Sequence, residues 1–493
     1  MYTVDWFKDK KVTVMGLGLN GGGLGAAKWL MRHGAAVTVT DLKDAASLAP
    51  SVAELDESYA ACPKNADGPA IHKIVYSLGS HAEKDFTATE LVIRNPAVPR
   101  DNPFLSLALS RGIPVETDIS VFFLLCPFPI AAVTGTKGKT TTTTLLADIC
   151  RDHDDRTVIG GNIRISPLDA LDGLLEMSVA KMKPPPIVLE LSSWQLESLE
   201  KHRLSPRVAV VTNVMEDHLN RYRDMDDYAR AKELNVMFQG PGDTAVMNAA
   251  DARVAAMGAA LAARPDGPKV VWFAEKPLTA ADACFISGGK VVLAASGAKR
   301  ALFPLSAIKI AGRHNIANVL AACAAAAALG IPDKTIAAAV RKFRGVPGRL
   351  EDLGVRAGIR YVNDTTATTP DAAIAAMKTL GRAGKKRIVL LAGGADKVLH
   401  FEAWAPVVRR LVKHLVLFEG TATPKMLAAL DAAGVKTPRA LVKSMKEALA
   451  TARTFAGRGD TILLSPGCAS FGIFVNEFDR GDQFVAAVRR LRQ

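Results

Sequence analysis

A glycine- and threonine-rich loop between a strand pattern and a helix pattern constrains this chain most. Residues 130–144 read IAAVTGTKGKTTTTT, a β-branched strand, a GTKGKT loop and the first turn of a helix. A loop in that position directs backbone N–H groups and a helix N-terminus at phosphate oxygens, with Lys139 reaching the terminal phosphates and Thr140 available to Mg²⁺. The common GxxxxGK pattern has glycine where this chain has Val133, so the loop is of the shorter GTxGKT type. The sequence therefore predicts a site for a nucleoside triphosphate.

Length and composition predict a globular protein with several domains. The chain has 493 residues, of which 49% are apolar and 23% charged. At roughly one domain per 150 residues, three domains are expected. The longest apolar stretches are too short to cross a bilayer, and charged residues occupy the N-terminal segment where a secretion signal needs an apolar run. We expect a cytoplasmic protein that has no contact with membranes.

The net charge of +13 is spread along the chain and accompanies no aromatic RNA-binding motif. It favours attraction to small anionic substrates over nucleic-acid binding. The six cysteines are scattered without zinc-type spacing, which predicts reduced thiols.

Strand and helix patterns alternate through three α/β regions. The first begins with a βαβ unit that runs from Lys11 to Asp41 and extends to about residue 127, where CPFPI indicates a linker. The second region covers 128–345, and the third covers 346–493 after the turn-rich segment GVPGRLE. The predicted fold class is α/β with a Rossmann-like N-terminal domain, a central parallel sheet like those of phosphate-loop ATPases, and a Rossmann-like C-terminal domain.

Three further side chains of the central region suit metal binding and acid–base chemistry. Glu190 and His218 follow strand-like runs, and Lys232 lies in the helical segment YARAKELN. Since open α/β sheets build their sites at the carboxyl ends of strands, these groups can converge above the phosphate loop.

A second glycine loop, GLGLNG, contains Gly16, Gly18 and Gly21, with Asp41 twenty residues beyond the last of them. This spacing also satisfies the dinucleotide fingerprint, so taken alone it predicts an NAD site.

Several segments occur in the order found in the Mur ligases. They are TGTKGKTT, GGN, ELSSWQLE, NVMEDHLNRY, AKELN, GRHNIAN, PGRLE, NDTTATTP and SPGCASFGIFVNEF. The chain resembles this family over essentially its whole length, and most resembles the member that joins glutamate to UDP-N-acetylmuramoyl-L-alanine. The resemblance implies an ATP-dependent ligase of peptidoglycan precursor synthesis that uses two Mg²⁺ ions and forms an acyl phosphate. It also reassigns the GLGLNG loop from NAD to the UDP-sugar. We expect a monomer, although the sequence leaves the oligomeric state open.

Most of the expected roles fall on matching residues of this sequence. The resemblance implies that Lys139, Glu190, His218 and Lys232 are catalytic, and that Thr140, Glu190, His218 and Lys232, the last carbamylated, hold the two metal ions. The ATP-binding residues implied are Gly135, Thr136, Lys137, Gly138, Lys139, Thr140, Thr141, Asn315, Asn318, Arg349 and Asp364. Those implied for the UDP-sugar are Leu19, Asn20, Asp41, Asn95, Ala97, Asn162 and His218. Those implied for glutamate are Thr368, Lys397, Ser470 and Phe478.

Two departures from the family pattern fall in the third region. Thr366 of DTTAT stands where the family commonly has the lysine of DSKAT, and GGADK replaces GGDGK, which leaves the role of Asp396 open. The glutamate site therefore depends on other cations and hydroxyls, and D-glutamate is favoured over L-glutamate. The alternatives are a folylpolyglutamate synthase of the same superfamily, a NAD-dependent oxidoreductase and a regulatory ATPase without ligase chemistry.

Overall fold

The computed structural model describes residues 2–19, 21–62, 71–217, 221–310, 312, 314–381, 384–396, 399–470 and 472–491. Two compact units make up the chain. One comprises Met1–Ile308 with Arg313–Lys342, and the other comprises Lys309–Gly312 with Phe343–Gln493.

The first unit begins with a parallel sheet of order β3-β2-β1-β4-β5. Its strands are β1 Lys11–Met15, β2 Ala36–Asp41, β3 Val75–Leu78, β4 Leu91–Arg94 and β5 Val115–Glu116. Its helices are α1 Gly22–Arg32, α2 Ala45–Ala60, α3 Lys84–Thr87, α4 Pro103–Ser110 and α5 Asp118–Leu125. The predicted βαβ unit is confirmed as β1-α1-β2, with the GLGLNG loop between strand and helix.

A second sheet of the same unit has the order β14-β13-β12-β11-β10-β9-β6-β8-β7. Its strands are β6 Ala131–Thr134, β7 Val158–Gly161, β8 Ile187–Glu190, β9 Val208–Val211, β10 Thr244–Asn248, β11 Lys269–Ala274, β12 Ala283–Ser287, β13 Lys290–Ala295 and β14 Ala298–Pro304. Its helices are α6 Lys139–His153, α7 Leu171–Val179, α8 Ser193–Leu196, α9 Met225–Met237, α10 Ala252–Ala262, α11 His314–Ala328 and α12 Asp333–Lys342. The strands from β7 to β12 pair in parallel, as the alternating strand and helix patterns predict.

The strands β12, β13 and β14 form an antiparallel edge that the sequence analysis did not predict. Tight turns at Gly288–Gly289 and at Ser296–Gly297 join them, each with backbone in the left-handed region. The edge extends the central sheet on the side away from β6 and β8.

A shared apolar core joins the first two sheets. It runs from Phe7 and Trp29 of the N-terminal region to Leu189 and Leu234 of the central region. Trp29 is fully buried and its indole nitrogen donates to the carboxylate of Asp172 on α7 at 2.9 Å. Replacing such a side chain with alanine costs about 3–5 kcal/mol, so Trp29 is a major contact between these regions.

The second unit contains a sheet of order β15-β16-β20-β17-β18-β19, parallel except for the β15-β16 pair. Its strands are β15 Glu351–Arg356, β16 Ile359–Asn363, β17 Ile388–Gly393, β18 Val412–Phe418, β19 Arg439–Val442 and β20 Thr461–Leu464. Its helices are α13 Pro370–Leu380, α14 Trp404–Leu411, α15 Thr423–Ala432, α16 Met445–Phe455 and α17 Glu477–Arg489. Apolar cores on both faces of this sheet confirm the predicted doubly wound architecture.

Within the described part of the chain, no helix combines the length and the hydropathy needed to cross a bilayer. The six cysteines are free thiols, as predicted.

Candidate active site

The GTKGKT loop lies between β6 and α6. Gly138 caps α6 with φ +85° and ψ −7°, a left-handed conformation that glycine adopts without steric cost. A Cβ at this position would also lie 2.2 Å from Oδ1 of Asn318 on α11. Asn318 is buried and donates from Nδ2 to Oδ1 of Asn315 at 3.0 Å. The structure therefore brings both asparagines predicted for the nucleotide to the N-terminus of α6, where unpaired N–H groups favour anions.

Two lysine side chains meet on the same loop carbonyl. Nζ of Lys139 donates to the carbonyl oxygen of Gly135 at 2.8 Å and to that of Thr136 at 3.1 Å. Nζ of Lys232, which reaches the loop from α9, donates to the Gly135 carbonyl at 3.0 Å. Lys232 is 1% exposed. Burial, and secondarily the charge of Lys139, lower the pKa of Lys232 well below its ordinary value.

The segment after β9 supports the other side of the loop. The backbone N–H of Lys137 donates to Oδ1 of Asn213 at 2.8 Å, and Nδ2 of Asn213 donates back to the Lys137 carbonyl at 2.9 Å. The N–H of Met215 donates to the Thr136 hydroxyl at 3.0 Å. These bonds fix the loop while the Lys137 side chain is exposed, and Thr140 and Thr141 lie half-buried in the first turn of α6.

Glu190 ends β8, the strand beside β6, and its backbone is in register with Val133 just before the loop. The side chain is 1% exposed, and Oε1 accepts a hydrogen bond from Nδ2 of Asn162 at 2.7 Å. Oε2 is buried and finds no hydrogen-bond partner among the described residues. A buried carboxylate oxygen of this kind suits a hard cation such as Mg²⁺.

His218 lies outside the described residues, so the predicted metal set of Thr140, Glu190, His218 and Lys232 stays a prediction. In the described ranges, no three or more His, Cys, Asp or Glu side chains group together as a metal site.

The residues predicted for the UDP-sugar surround the first glycine loop. Oδ2 of Asp41 accepts from the N–H of Gly18 at 3.1 Å, and Nδ2 of Asn95 donates to the Gly16 carbonyl at 3.2 Å. The N–H of Ala97 donates to Oδ1 of Asn95 at 3.1 Å. Leu19 is 38% exposed beside them. Asn20 lies outside the described residues.

The segment after β7 approaches this glycine loop closely. A Cβ at Gly21, which has φ +83°, would lie 2.3 Å from the carbonyl oxygen of Arg164. Asn162 belongs to the same segment, and its N–H donates to the Glu190 carbonyl at 2.8 Å. One short segment thus connects the glycine loop of the N-terminal sheet to Glu190 of the central sheet.

Arg221 is a candidate site residue that the sequence analysis missed. Its guanidinium donates to the carbonyls of Pro96, Ala97 and Val98 at 3.2, 3.1 and 3.3 Å, and lies 4.3 Å from the ring centroid of Trp194. Arg221 is part of the NVMEDHLNRY segment. Its position in this segment was the sequence signal that could have identified Arg221. Its acceptors are backbone carbonyls, which no side-chain pattern reveals.

In the C-terminal unit, Asp364 follows β16 and is buried. Oδ1 accepts from the N–H of Leu350 at 3.1 Å, and Oδ2 accepts from the hydroxyl of Ser465 at 2.8 Å. Burial raises the pKa of Asp364 to about 7, against opposing effects of these hydrogen bonds and of the Arg349 charge. Arg349 itself is exposed.

Backbone hydrogen bonds bring together the segments predicted for glutamate. The N–H of Gly467 donates to the Ala367 carbonyl at 2.8 Å, and Ala395 and Ala469 form an antiparallel bridge. Thr368 therefore lies in a loop bonded to the segment that leads to Ser470. The hydroxyl of Ser470 is buried and has no partner within the described part of the chain.

The structure says less about the other two residues predicted to bind glutamate. Phe478 is 41% exposed in the first turn of α17, and Lys397 falls outside the described residues. Asp396, whose role was open, accepts from the N–H of Leu399 at 3.0 Å and pairs with Lys425. This carboxylate stabilises its own loop. Thr366, at the position where the family has lysine, donates its hydroxyl hydrogen to the Gly348 carbonyl at 2.9 Å.

Comparison with known proteins decides the family. Residues 10–117 match the model of the Mur ligase MurD-like N-terminal domain, residues 133–326 match the Mur ligase middle domain, and residues 348–468 match the Mur ligase glutamate ligase domain. The chain is 42% identical over 484 residues to the UDP-N-acetylmuramoylalanine--D-glutamate ligase of Roseiflexus sp. strain RS-1, covering 96% of this chain and 97% of that protein. The chain belongs to the Mur ligase family. It is therefore an ATP-dependent amide-bond ligase, as the sequence analysis predicted.

Other comparisons agree with this assignment. This Mur ligase is 35% identical to the UDP-N-acetylmuramoylalanine--D-glutamate ligase of Pelotomaculum thermopropionicum, with 99% of each chain covered. Among solved structures, it is similar to the UDP-N-acetylmuramate-alanine ligase of Thermotoga maritima, with a TM-score of 0.59 and 21% identity over 98% of this chain and all of that one. That likeness confirms the predicted fold class.

Proposed function

We propose that this Mur ligase joins the amino group of D-glutamate to the carboxylate of UDP-N-acetylmuramoyl-L-alanine, with cleavage of ATP, in the synthesis of peptidoglycan precursors. The names of the full-length relatives supply the donor and the acceptor. One structural observation supports the phosphoryl chemistry: the side-chain nitrogens of Lys139 and Lys232 meet at the Gly135 carbonyl, and Glu190 ends the adjacent strand. Cations and a carboxylate at a phosphate loop suit phosphoryl transfer.

In the first step, the donor carboxylate attacks the γ-phosphorus of ATP and the bond to the β-phosphate oxygen breaks. The products are an acyl phosphate and ADP. Lys139 and the N-terminal N–H groups of α6 neutralise charge on the phosphoryl group in flight. When phosphates bind, Lys139 exchanges its contacts with the Gly135 and Thr136 carbonyls for contacts with phosphate oxygens.

Two Mg²⁺ ions would neutralise further phosphate charge, held by Thr140 and Glu190 and by His218 and Lys232. Oε2 of Glu190, which has no partner within the described ranges, fits the role of a metal ligand. A protonated Lys232 would repel a cation, whereas its lowered pKa favours loss of the proton, and the neutral amine can then combine with carbon dioxide and lose a second proton. The resulting carbamate is anionic and can serve as a ligand.

In the second step, the glutamate amine attacks the carbonyl carbon of the acyl phosphate. A tetrahedral intermediate forms, phosphate leaves with the electron pair of the broken C–O bond, and the amine loses a proton. Exclusion of water protects the acyl phosphate from hydrolysis. We assign glutamate to Thr368, Lys397, Ser470 and Phe478 of the C-terminal region, 346–493.

The donor is assigned to the N-terminal region, 1–127, together with Asn162 and His218 of the central region, 128–345. Asp41 and Asn95 support this assignment because both bond to backbone of the GLGLNG loop. The roles expected for Arg349 and Asp364 at the nucleotide remain predictions, as do a cytoplasmic location and a monomeric state.

Phosphate release separates this function from its alternatives. We expect release from ATP only when UDP-N-acetylmuramoyl-L-alanine is present, and sustained turnover only when glutamate is added. A folylpolyglutamate synthase would instead respond to a folate donor. Release without any donor would indicate a regulatory ATPase, and nicotinamide binding without release would indicate an oxidoreductase; either result would overturn the proposal.

A further inference from the structure

Arg480 is a fully buried cation that the proposed function does not use. It lies in the first half of α17 with 0% exposure. Its Nε donates to the hydroxyl of Thr365 at 3.1 Å, its Nη2 to the carbonyl of Thr365 at 2.8 Å, and its Nη1 to the carbonyl of Cys468 at 3.4 Å. All three acceptors are neutral, and no carboxylate among the described residues lies within salt-bridge distance.

These acceptors belong to two segments of the predicted glutamate site. Thr365 begins the loop that contains Thr368, and Cys468 precedes Ser470 by two residues. Ser470 is 2% exposed, and its hydroxyl has no partner within the described ranges. The hydroxyl is therefore available to a ligand. Arg480 therefore stands at the junction of both segments.

The start of α17 packs tightly against the same loop. The Thr365 hydroxyl donates to the carbonyl of Glu477 at 2.6 Å. A Cβ at Gly481 would lie 2.6 Å from Cγ2 of Thr365, so only glycine lets the helix come this close. The geometry of the loop thus depends on the position of α17, and Arg480 bonds the two together.

A buried guanidinium costs folding free energy unless a charge compensates it. Burial lowers the pKa of Arg480 to about 10, so the group stays protonated at neutral pH. Smaller attractions by Cys468 and then by Glu477 oppose this shift. Since neither group forms an ion pair with the guanidinium in the described part of the chain, its positive charge favours an anion bound nearby.

We propose that Arg480 is a positioning residue of the acceptor site. Its guanidinium holds the Thr365–Thr368 loop against the Cys468–Ser470 segment, and its charge favours the dicarboxylate of glutamate. Arg480 acts through these segments and the field it creates. This inference rests on the proposed function, which makes glutamate the acceptor.

The test compares Arg480→Lys and Arg480→Met with the matched variant Arg410→Met, which changes an exposed arginine on α14 of the same unit. Arg480→Lys keeps the charge but cannot reach all three acceptors. We expect KM for glutamate to rise by about tenfold in Arg480→Lys and further in Arg480→Met, because charge-assisted hydrogen bonds are lost. KM for ATP and for the UDP-sugar donor should stay unchanged in both, and Arg410→Met should behave as wild type.

The first half-reaction distinguishes a role at the glutamate site from a general structural role, because it does not need glutamate. Both Arg480 variants should still form acyl phosphate from donor and ATP without glutamate, measured by reductive trapping with borohydride. If Arg480→Met does not fold, Arg480→Lys alone decides. A folded Arg480→Lys with wild-type KM for glutamate, or with KM raised equally for all substrates, would overturn the inference. Failure of the wild-type chain to form amide with glutamate would instead overturn the proposed function.

Discussion

Lys139 and Lys232 donate to the same acceptor, the carbonyl oxygen of Gly135, at 2.8 and 3.0 Å. Two ammonium groups that share one carbonyl repel each other, and the one with less access to water loses its proton more readily. Lys232 is that group, since it is 1% exposed and its pKa is lowered by burial and by Lys139. We therefore expect the buried Lys232 to cost stability and to lose its proton readily beside the phosphate loop.

Lys232→Met should therefore stabilise the protein and abolish ligation. The variant removes a buried charge, while the Gly135 carbonyl keeps Lys139 as donor, so we expect a gain of about 1 kcal/mol in the free energy of unfolding near neutral pH. Because the pKa of Lys232 is lowered in the folded state, the unfolded chain binds more protons. The loss of stability that Lys232 causes therefore grows as the pH falls below the ordinary pKa of lysine. The gain from methionine should thus be larger at neutral than at alkaline pH.

Thermal unfolding in buffer depleted of carbon dioxide measures this effect. Lys334→Met, at an exposed position of α12, is the control and should change little. A Lys232→Met variant that is less stable than wild type at neutral pH would contradict the conclusion that the buried amino group destabilises the protein.

Glu190→Gln should weaken the response to Mg²⁺. The change keeps the shape of the side chain and its contact with Asn162, but it removes the negative charge of a carboxylate whose Oε2 has no partner among the described residues. We expect the Mg²⁺ concentration for half-maximal activity to rise by at least about tenfold. Titration of ligase activity with Mg²⁺ measures it, and Glu176→Gln on the exposed face of α7 is the matched control. Identical titrations for Glu190→Gln and wild type would refute a role for Glu190 as ligand.

Arg221→Lys should raise KM for the UDP-sugar donor by about tenfold with a smaller change in kcat. A lysine cannot bond to the carbonyls of Pro96, Ala97 and Val98 together, so the segment beside Asn95 loses its support. Steady-state kinetics with varied donor test this. Arg223→Lys, two residues away and 85% exposed in its side chain, should match wild type. Equal donor KM in the two variants would argue against a supporting role.

Asp364→Asn should flatten the dependence of stability on pH. The pKa of Asp364 is raised from 3.8 to about 7, so between these values the folded chain binds more protons than the unfolded chain. The stabilising contribution of Asp364 to the free energy of unfolding is then complete at acid pH. It is lost as the pH rises toward 7, by on the order of a few kcal/mol. Asparagine can accept from Leu350 and donate to Ser465, so it keeps both contacts without ionising.

Thermal midpoints of the full chain between pH 5 and about 8 check this prediction. Asp364→Asn should be the more stable protein at the alkaline end, and the two should converge as pH falls. A constant difference across the range would show that Asp364 does not titrate in it.

The parts of the site that the sequence predicts are those with local patterns. A strand, a glycine loop and a helix predicted that Lys139 lies at the start of α6, and strand runs that end in polar residues predicted that Glu190 ends a strand, here the one beside β6; the roles of both residues stay predictions. Arg221 and Arg480 were missed because their acceptors are backbone carbonyls, which every residue possesses. The antiparallel edge of β12 to β14 was missed although its two-residue, glycine-containing turns between short strand patterns are typical of hairpins.

Loop conformation limited the remaining predictions. Nothing in the sequence indicates that Oε2 of Glu190 and the hydroxyl of Ser470 are buried without a hydrogen-bond partner among the described residues, since that depends on how distant segments pack. The predicted roles of Asn20, His218 and Lys397 stay predictions, because these residues lie outside the described ranges.

The central claim is that this chain forms an amide between UDP-N-acetylmuramoyl-L-alanine and D-glutamate. Incubation with ATP, Mg²⁺ and the donor, with D- and L-glutamate in parallel, followed by mass spectrometry of the product, tests it most directly. The account predicts the donor–glutamate amide with equimolar ADP and phosphate from D-glutamate, and little from L-glutamate. Amide from neither enantiomer, with the donor unchanged, would contradict it.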